Sequence, residues 1–248
     1  MPLLSEGQTD IGRKRKTNQD SIYLNPEKNL FIVADGMGGH NGGDTASKLA
    51  VNLIPEYVVK NPDQGANALL SEAILFANNS IREKGNSDPK LEGMGTTVVS
   101  MLFKSSSLMI GNVGDSRGYL IAKNKIYQLT RDHSMIQEKI ALGVYTREQG
   151  AKDPHKNVLV RTVGFEEKLD VDIFTYKVCK NDLFLMCSDG LHGKVSESDI
   201  IYIINKNIPD PSTGTQEILN KTVKELIDQA NANGGQDNIS IVLILARA

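Results

Sequence analysis

The chain has 248 residues, 40% of them hydrophobic and 23% charged, which is enough to bury a sizeable core without disulfide or metal staples. Its net charge of -2, with Arg13-Lys14-Arg15-Lys16 as the one basic cluster, argues against nucleic acid as the main partner. Cys179 and Cys187 are too few for a disulfide framework, and no run approaches the roughly 18 apolar residues of a membrane span, so a cytoplasmic protein with reduced thiols and no membrane partner is expected.

The first strand patterns are Ser21–Leu24 and Leu30–Ala34, and the Asn25-Pro26-Glu27-Lys28-Asn29 turn between them predicts a hairpin. A helix follows from about Asp44, with Ala46, Leu49, Ala50, Leu53, Ile54 and Tyr57 on one face. A second runs from about Ala66 to Lys84, carrying Leu69, Leu70, Ala73, Phe76, Ala77 and Ile81. Strand signals then crowd together at Thr96–Phe103, Leu108–Val113, Gly118–Ala122 and Lys125–Leu129, joined by short turns. From Arg131 to Gly164 the pattern loosens into one short helix, His133–Leu142, and a polar stretch holding Pro154.

Strands return at Val171–Val178 and Leu183–Ser188. The capping-box-like Ser196-Glu197-Ser198-Asp199 opens a helix through Asn205, and another helix spans Thr215 to Ala232 before Gly234-Gly235. A buried strand, Asn238–Leu245, closes the chain. This order lacks the strict alternation of a parallel doubly wound sheet, so the expected class is α+β, with mainly antiparallel sheets covered by helices.

The chemistry lies in acidic residues placed at or beside strand ends. Asp20, Asp35, Asp189 and Asp237 each stand there, and Asp115 sits between two strands in Gly114-Asp115-Ser116-Arg117-Gly118. Singly, an Asp-Gly after a strand is a turn. Several rigid strand ends can instead converge on one point. Converging carboxylates repel and raise one another's pKa, a cost that a divalent cation removes. The donors on offer are hard oxygens without a zinc-like His/Cys cluster, which points to Mg²⁺, Mn²⁺ or Ca²⁺. Gly36 lets a backbone carbonyl approach such an ion. Two ions sharing an acidified water would suit in-line attack on phosphorus. Arg15, five residues before Asp20, is placed to grip phosphate oxygens in pairs.

With these residues in view, the chain resembles the PPM family of metal-dependent protein phosphatases (the type 2C phosphatases), in particular its compact bacterial branch. Eight segments match in order: Gly12–Asp20, Asp35–His40, Gly93–Thr97, Gly111–Arg117, Leu129–Ser134, Asn157–Arg161, Ser188–Leu191 and Asp237-Asn238. The resemblance implies two stacked antiparallel sheets flanked by helices, an α-β-β-α sandwich, as one catalytic domain over residues 1–248 with a flap at about 131–164. It implies a phosphatase that hydrolyses phosphoserine and phosphothreonine by attack of a hydroxide bridging two tightly held Mn²⁺ or Mg²⁺ ions.

In that scheme Asp35 bridges both ions, the Gly36 carbonyl binds one, and Asp189 and Asp237 hold the other. Asp20 orients from the first or second shell of ligands, Arg15 binds the substrate phosphate, and Asp115 with Asp189 supports a weaker third ion. The implied partners are phosphoproteins, among them targets of a cognate serine/threonine kinase, and the implied state is a monomer. Met37 stands where some relatives carry a histidine proposed as general acid, with His40 displaced by three residues, and Gln19 replaces a common Glu. His133 and His155 are expected to be structural or superficial, and His192 is a weaker candidate for the cleft wall.

Overall fold

The computed structural model describes residues 2–155 and 157–247, without the side chains of residues 39–41 and 151. Two antiparallel sheets stack face to face between two pairs of helices. In one, the strand order is β2 (Asp20–Asn25), β3 (Leu30–Met37), β5 (Val98–Lys104), β6 (Ser107–Val113) and β9 (Asp172–Lys177), with the short β4 (Gly95–Thr96) also pairing with β3. In the other, the order is β1 (Leu3–Asp10), β11 (Ile239–Ala246), β10 (Leu183–Cys187), β7 (Arg117–Ala122) and β8 (Lys125–Gln128). Helices α1 (Gly39–Lys60) and α2 (Ala66–Ser87) cover the first sheet, and α6 (Glu197–Asn207) and α7 (Gln216–Ala232) cover the second.

The apolar runs of the central strands follow from this layering. In β3, Leu30, Ile32 and Ala34 pack under α1 and α2, while Phe31 and Val33 face the opposite sheet. In β11, Ile239, Ile241, Leu243 and Leu245 pack on α6 and α7, and Val242 and Ile244 point between the sheets. A strand covered on both faces has no polar side to alternate with, so it reads as continuous hydrophobic sequence. Cys187 is buried in the helix-facing layer and Cys179 is exposed, and both are free thiols, as expected.

Several elements differ from the sequence-based expectation. Strand β1, paired with β11 from Leu3↔Ala246 to Asp10↔Ile239, had no predicted counterpart. It is an edge strand of mostly intermediate burial, held by backbone pairing, so it needs no apolar alternation. Helix α1 starts at Gly39 rather than Asp44, running through Gly42 and Gly43. Short helices α4 (Arg147–Lys152) and α5 (Asp189–His192) were also unforeseen. The predicted 133–142 helix is trimmed to α3 (Met135–Ala141), with Ser134 as its N-cap. The polar α4 is stabilised locally by a capping box between Thr146 and Gln149.

The flap, carrying α3 and α4, is stitched to the body at both stems. His133 N donates to Gly114 O at 2.9 Å and Thr96 bridges Val163, while Ser134 bridges Leu159 and His133 O accepts from Val160 N at 2.9 Å to join the two stems to each other. Among the described residues no helix is long and apolar enough to cross a membrane.

Candidate active site

The predicted acidic residues meet at one end of the sandwich. Asp20 and Asp35 are cross-strand partners on β2 and β3. Asp189 is the first residue of α5, directly after β10, and Asp237 lies just before β11. Asp115 occupies the turn between β6 and β7. A cleft of about 320 Å³ is walled by Arg15, Asp35, Gly36, Asp115, Asp189 and Asp237, with Met37 and Thr97 beside them. Asp20 is not on that wall. It lies behind it, 6% exposed, accepting from Ser188 Oγ at 2.8 Å.

Asp35 is fixed through its backbone. Its N–H donates to Thr97 Oγ1 at 3.0 Å, and its carbonyl accepts from Thr96 Oγ1 at 2.9 Å and from Thr97 N at 2.8 Å. The glycine-threonine segment noticed in the sequence thus holds the central carboxylate in register. Gly36 is required by space: a Cβ there would lie 2.0 Å from Gly43 O at the first turns of α1. The early start of α1 and the bare Gly36 carbonyl are therefore one packing solution.

The Arg15 loop is tied down by Asn238, whose Nδ2 donates to Ile11 O at 3.0 Å and Thr17 O at 3.1 Å, while its Oδ1 accepts from Gln19 N at 2.9 Å. Gly12, at φ +80°, lets the loop pass close over Asp237, where a Cβ would lie 2.2 Å from its carbonyl oxygen. Arg15 Nη2 ends 2.6 Å from Asp237 Oδ2. Neither Thr97 nor Asn238 was given a role from sequence. Their hydrogen bonds join segments far apart in the chain, and their only signal was membership of a motif.

The electrostatics ask for a cation. Burial, reinforced by Asp20 and the neighbouring carboxylates, pushes Asp35 well above the ordinary range. Burial raises Asp189 to about 8, with Asp115 the next contributor, and lifts Asp20 and Asp115 to about 6. Asp20 Oδ1 and Asp189 Oδ1 are buried with no hydrogen-bond partner. Such acceptor-only oxygens fit a hard divalent ion. Among the described residues no group of three or more His, Cys, Asp or Glu is arranged to hold an ion by itself, and Asp237 is turned towards Arg15. The donor set therefore suits ions that take one or two carboxylates each and keep much of their water, not an all-protein cage.

The histidines are largely accounted for. His133 is buried, with Nδ1 accepting from Gly114 N at 3.2 Å and Nε2 lying 3.1 Å from Asp172 Oδ2. His155 is exposed beside Asp153. His192 does not wall the cleft; its Nε2 lies 3.0 Å from Asp115 O, and burial lowers its pKa to about 3, so the neutral ring donates there and braces the Asp115 turn. Met37 lines the cleft and carries no transferable proton, and the side chain of His40 lies outside the described residues.

Over 247 residues the chain is 36% identical to serine/threonine phosphatase stp of Listeria innocua, a correspondence covering 97% of this chain and 94% of that protein. Residues 8–203 match the family profile described as protein phosphatase 2C. The chain belongs to the protein phosphatase 2C family. As a member it is a metal-dependent protein serine/threonine phosphatase, with phosphoproteins as substrates.

Solved 2C phosphatases share the architecture. The crystal structure of Mycobacterium tuberculosis PstP/Ppp superposes with a TM-score of 0.90 at 30% identity over 99% of each chain. The PstP catalytic domain in complex with two manganese ions gives 0.86 at 28% identity, again over 99% of each chain. Asp237 falls beyond the 2C profile match, but these full-length superpositions span its position.

Proposed function

We infer that Asp35, Gly36, Asp189 and Asp237 hold two Mn²⁺ or Mg²⁺ ions at the cleft and that Arg15 receives the phosphate of a phosphoserine or phosphothreonine side chain. The observation carrying this reading is the meeting, on one small cleft, of the buried and partnerless Asp189 Oδ1, the Asp35 and Asp237 carboxylates and a half-exposed guanidinium, with a second partnerless oxygen, Asp20 Oδ1, just behind. When bound, the ions supply Lewis acidity and an acidified water at phosphorus.

The remaining work falls to the chain. Arg15, 48% exposed, can swing from Asp237 Oδ2 to two phosphate oxygens, replacing one charge-assisted contact by a bidentate one. Thr96 and Thr97 keep Asp35 aimed, and Asp20 supports it from behind. Asp115, braced by His192, is placed with Asp189 to favour a third, weaker ion. Met37 lines the cleft and cannot protonate the leaving alkoxide, a role that water in the cleft could fill.

The reading extends to a single catalytic domain, acting as a cytoplasmic monomer that reverses a cognate serine/threonine kinase. That extension is carried by the family rather than by geometry. The test is turnover of a phosphothreonine peptide and of an aryl phosphate after exhaustive chelation and after Mn²⁺ is restored. Activity should vanish and return for both; full turnover in the chelated protein would overturn the metal assignment.

A further inference from the structure

Beside the catalytic cleft lies a groove of about 860 Å³, well over twice the cleft's volume. The two share Asp115, Asn157 and Asp189 as a common rim. One wall of the groove is the flap, with Ile136 and Ile140 of α3, Arg147 of α4, and Arg131 just before α3. The other is formed by β7, β8 and the start of α6, including Glu197. This volume far exceeds what a phosphate group needs, and it continues directly from the place where one would sit.

The charges in the groove fall into distinct sets. Arg117 is consumed by Asp132, with Nε at 3.0 Å from both carboxylate oxygens and Nη2 at 2.7 Å from Oδ2, so this buried pair forms a neutral floor. Asp115 and Asp189 face the cation end. Glu197 stands across from the flap. Arg131 and Arg147 have no ion-pair or hydrogen-bond partner for their guanidinium groups among the described residues. The flap wall is thus apolar at α3 and cationic at both sides of it. It is also well formed, since Ser134 caps α3, a capping box opens α4, and the stems are bridged to the body.

We propose that this groove binds the polypeptide flanking the phosphorylated residue, with Arg131 and Arg147 selecting an acidic side chain on the flap side and the half-buried Ile140 packing an apolar neighbour. The proposal rests on the reading of the cleft as the phosphate site. Free guanidiniums on a groove wall act through complementary charge, which sorts partners more than it adds affinity.

The experiment compares manganese-loaded wild type with Arg131→Glu/Arg147→Glu and Arg131→Gln/Arg147→Gln on four substrates. These are phosphothreonine peptides with acidic, alanine or lysine flanks, and para-nitrophenyl phosphate. Wild type should favour the acidic peptide more than fivefold over the lysine peptide in kcat/KM. The glutamate variant should lose at least tenfold on the acidic peptide, mostly through KM, and gain on the lysine peptide. The glutamine variant should flatten the preference without reversing it, and both should keep aryl phosphate turnover and melting temperature within narrow limits of wild type. Equal kcat/KM for all three peptides in wild type, or an equal loss on peptide and aryl phosphate in the variants, would overturn the groove while leaving the catalytic reading standing. If wild type turned over aryl phosphate but none of the peptides, the protein-substrate reading would fall, and the groove with it.

Discussion

Asp35 shows how a single side chain is made functional by its backbone. With its N–H on Thr97 Oγ1 and its carbonyl on Thr96 and Thr97, it has little freedom to retreat from the repulsion around it. Asp35→Asn should cut kcat by several orders of magnitude in single-turnover assays. The same change should raise the melting temperature of the metal-free protein, because a buried charge among like charges is removed. A lowered melting temperature with near-normal turnover would mean that Asp35 is a turn residue only. Arg15→Lys keeps the charge but loses the planar fork, so KM for phosphopeptide should rise several-fold with a smaller fall in kcat. Arg13→Lys should do little, since what Arg13 gives the loop is its backbone N–H, bonded to Gly235 O at 2.7 Å. The carboxylates and Arg15 were legible in the sequence because aspartates recur at several strand ends and their segments, with the Arg15 loop, match the family's motifs in order, although each alone reads as a turn or surface residue. Thr97 and Asn238 were not, because a threonine or asparagine beside a motif looks like any turn residue until its distant partner is known.

At the scale of elements, the Arg15 loop depends on Asn238, which sits at the threshold of β11 and reaches three backbone groups of residues 11–19. Asn238→Ala leaves those groups unsatisfied, a stability loss on the order of 2 kcal/mol by the usual cost of buried unpaired polar groups. The functional mark should be a KM for phosphate monoesters raised about tenfold, the scale of one lost charge-assisted contact, with the metal-induced rise in melting temperature retained. Loss of that metal response would instead place Asn238 with the ion-holding residues. The helical and buried-strand signals predicted most elements, since their period is local. The start of α1 was missed because Gly42 and Gly43 read as loop, yet close packing of Gly43 on the Gly36 backbone and of Gly42 on Met94 makes them necessary there. Edge strand β1 and the short helices α4 and α5 were missed for a related reason: pairing holds β1, a capping box holds α4, and the four-residue α5 is too short to show an apolar period.

For the whole molecule, three hydrophobic layers stabilise a frame that gathers mutually repelling carboxylates at one end. The double-sided burial of β3 and β11 could be read from their continuous apolar runs. Which strands neighbour which could not, because β1 and β11 come from opposite ends of the chain. The cost of the gathered carboxylates should be visible in stability. In the folded, metal-free protein Asp189 titrates near 8 and Asp20 and Asp115 near 6, all raised by burial above their unfolded values. The folded state then binds more protons than the unfolded state across this window, so stability must fall with rising pH. The metal-free melting temperature should therefore decline from about pH 4 to about pH 8, within which these raised values lie. Saturating Mn²⁺ or Mg²⁺ holds the same groups ionised only when folded, and at a hundred times its Kd it should add about 2.7 kcal/mol. For a chain of this size that is a rise of roughly 5–10 °C. Protons and metal compete for the same oxygens, so the rise should be larger at pH 8 than at pH 5, and binding at the lower pH should release protons to the buffer. Thermal melts with and without metal at the two pH values, together with calorimetry in buffers of different ionisation enthalpy, check both parts. A metal-induced shift independent of pH, without proton release, would mean that the raised carboxylates are not the groups that hold the ions.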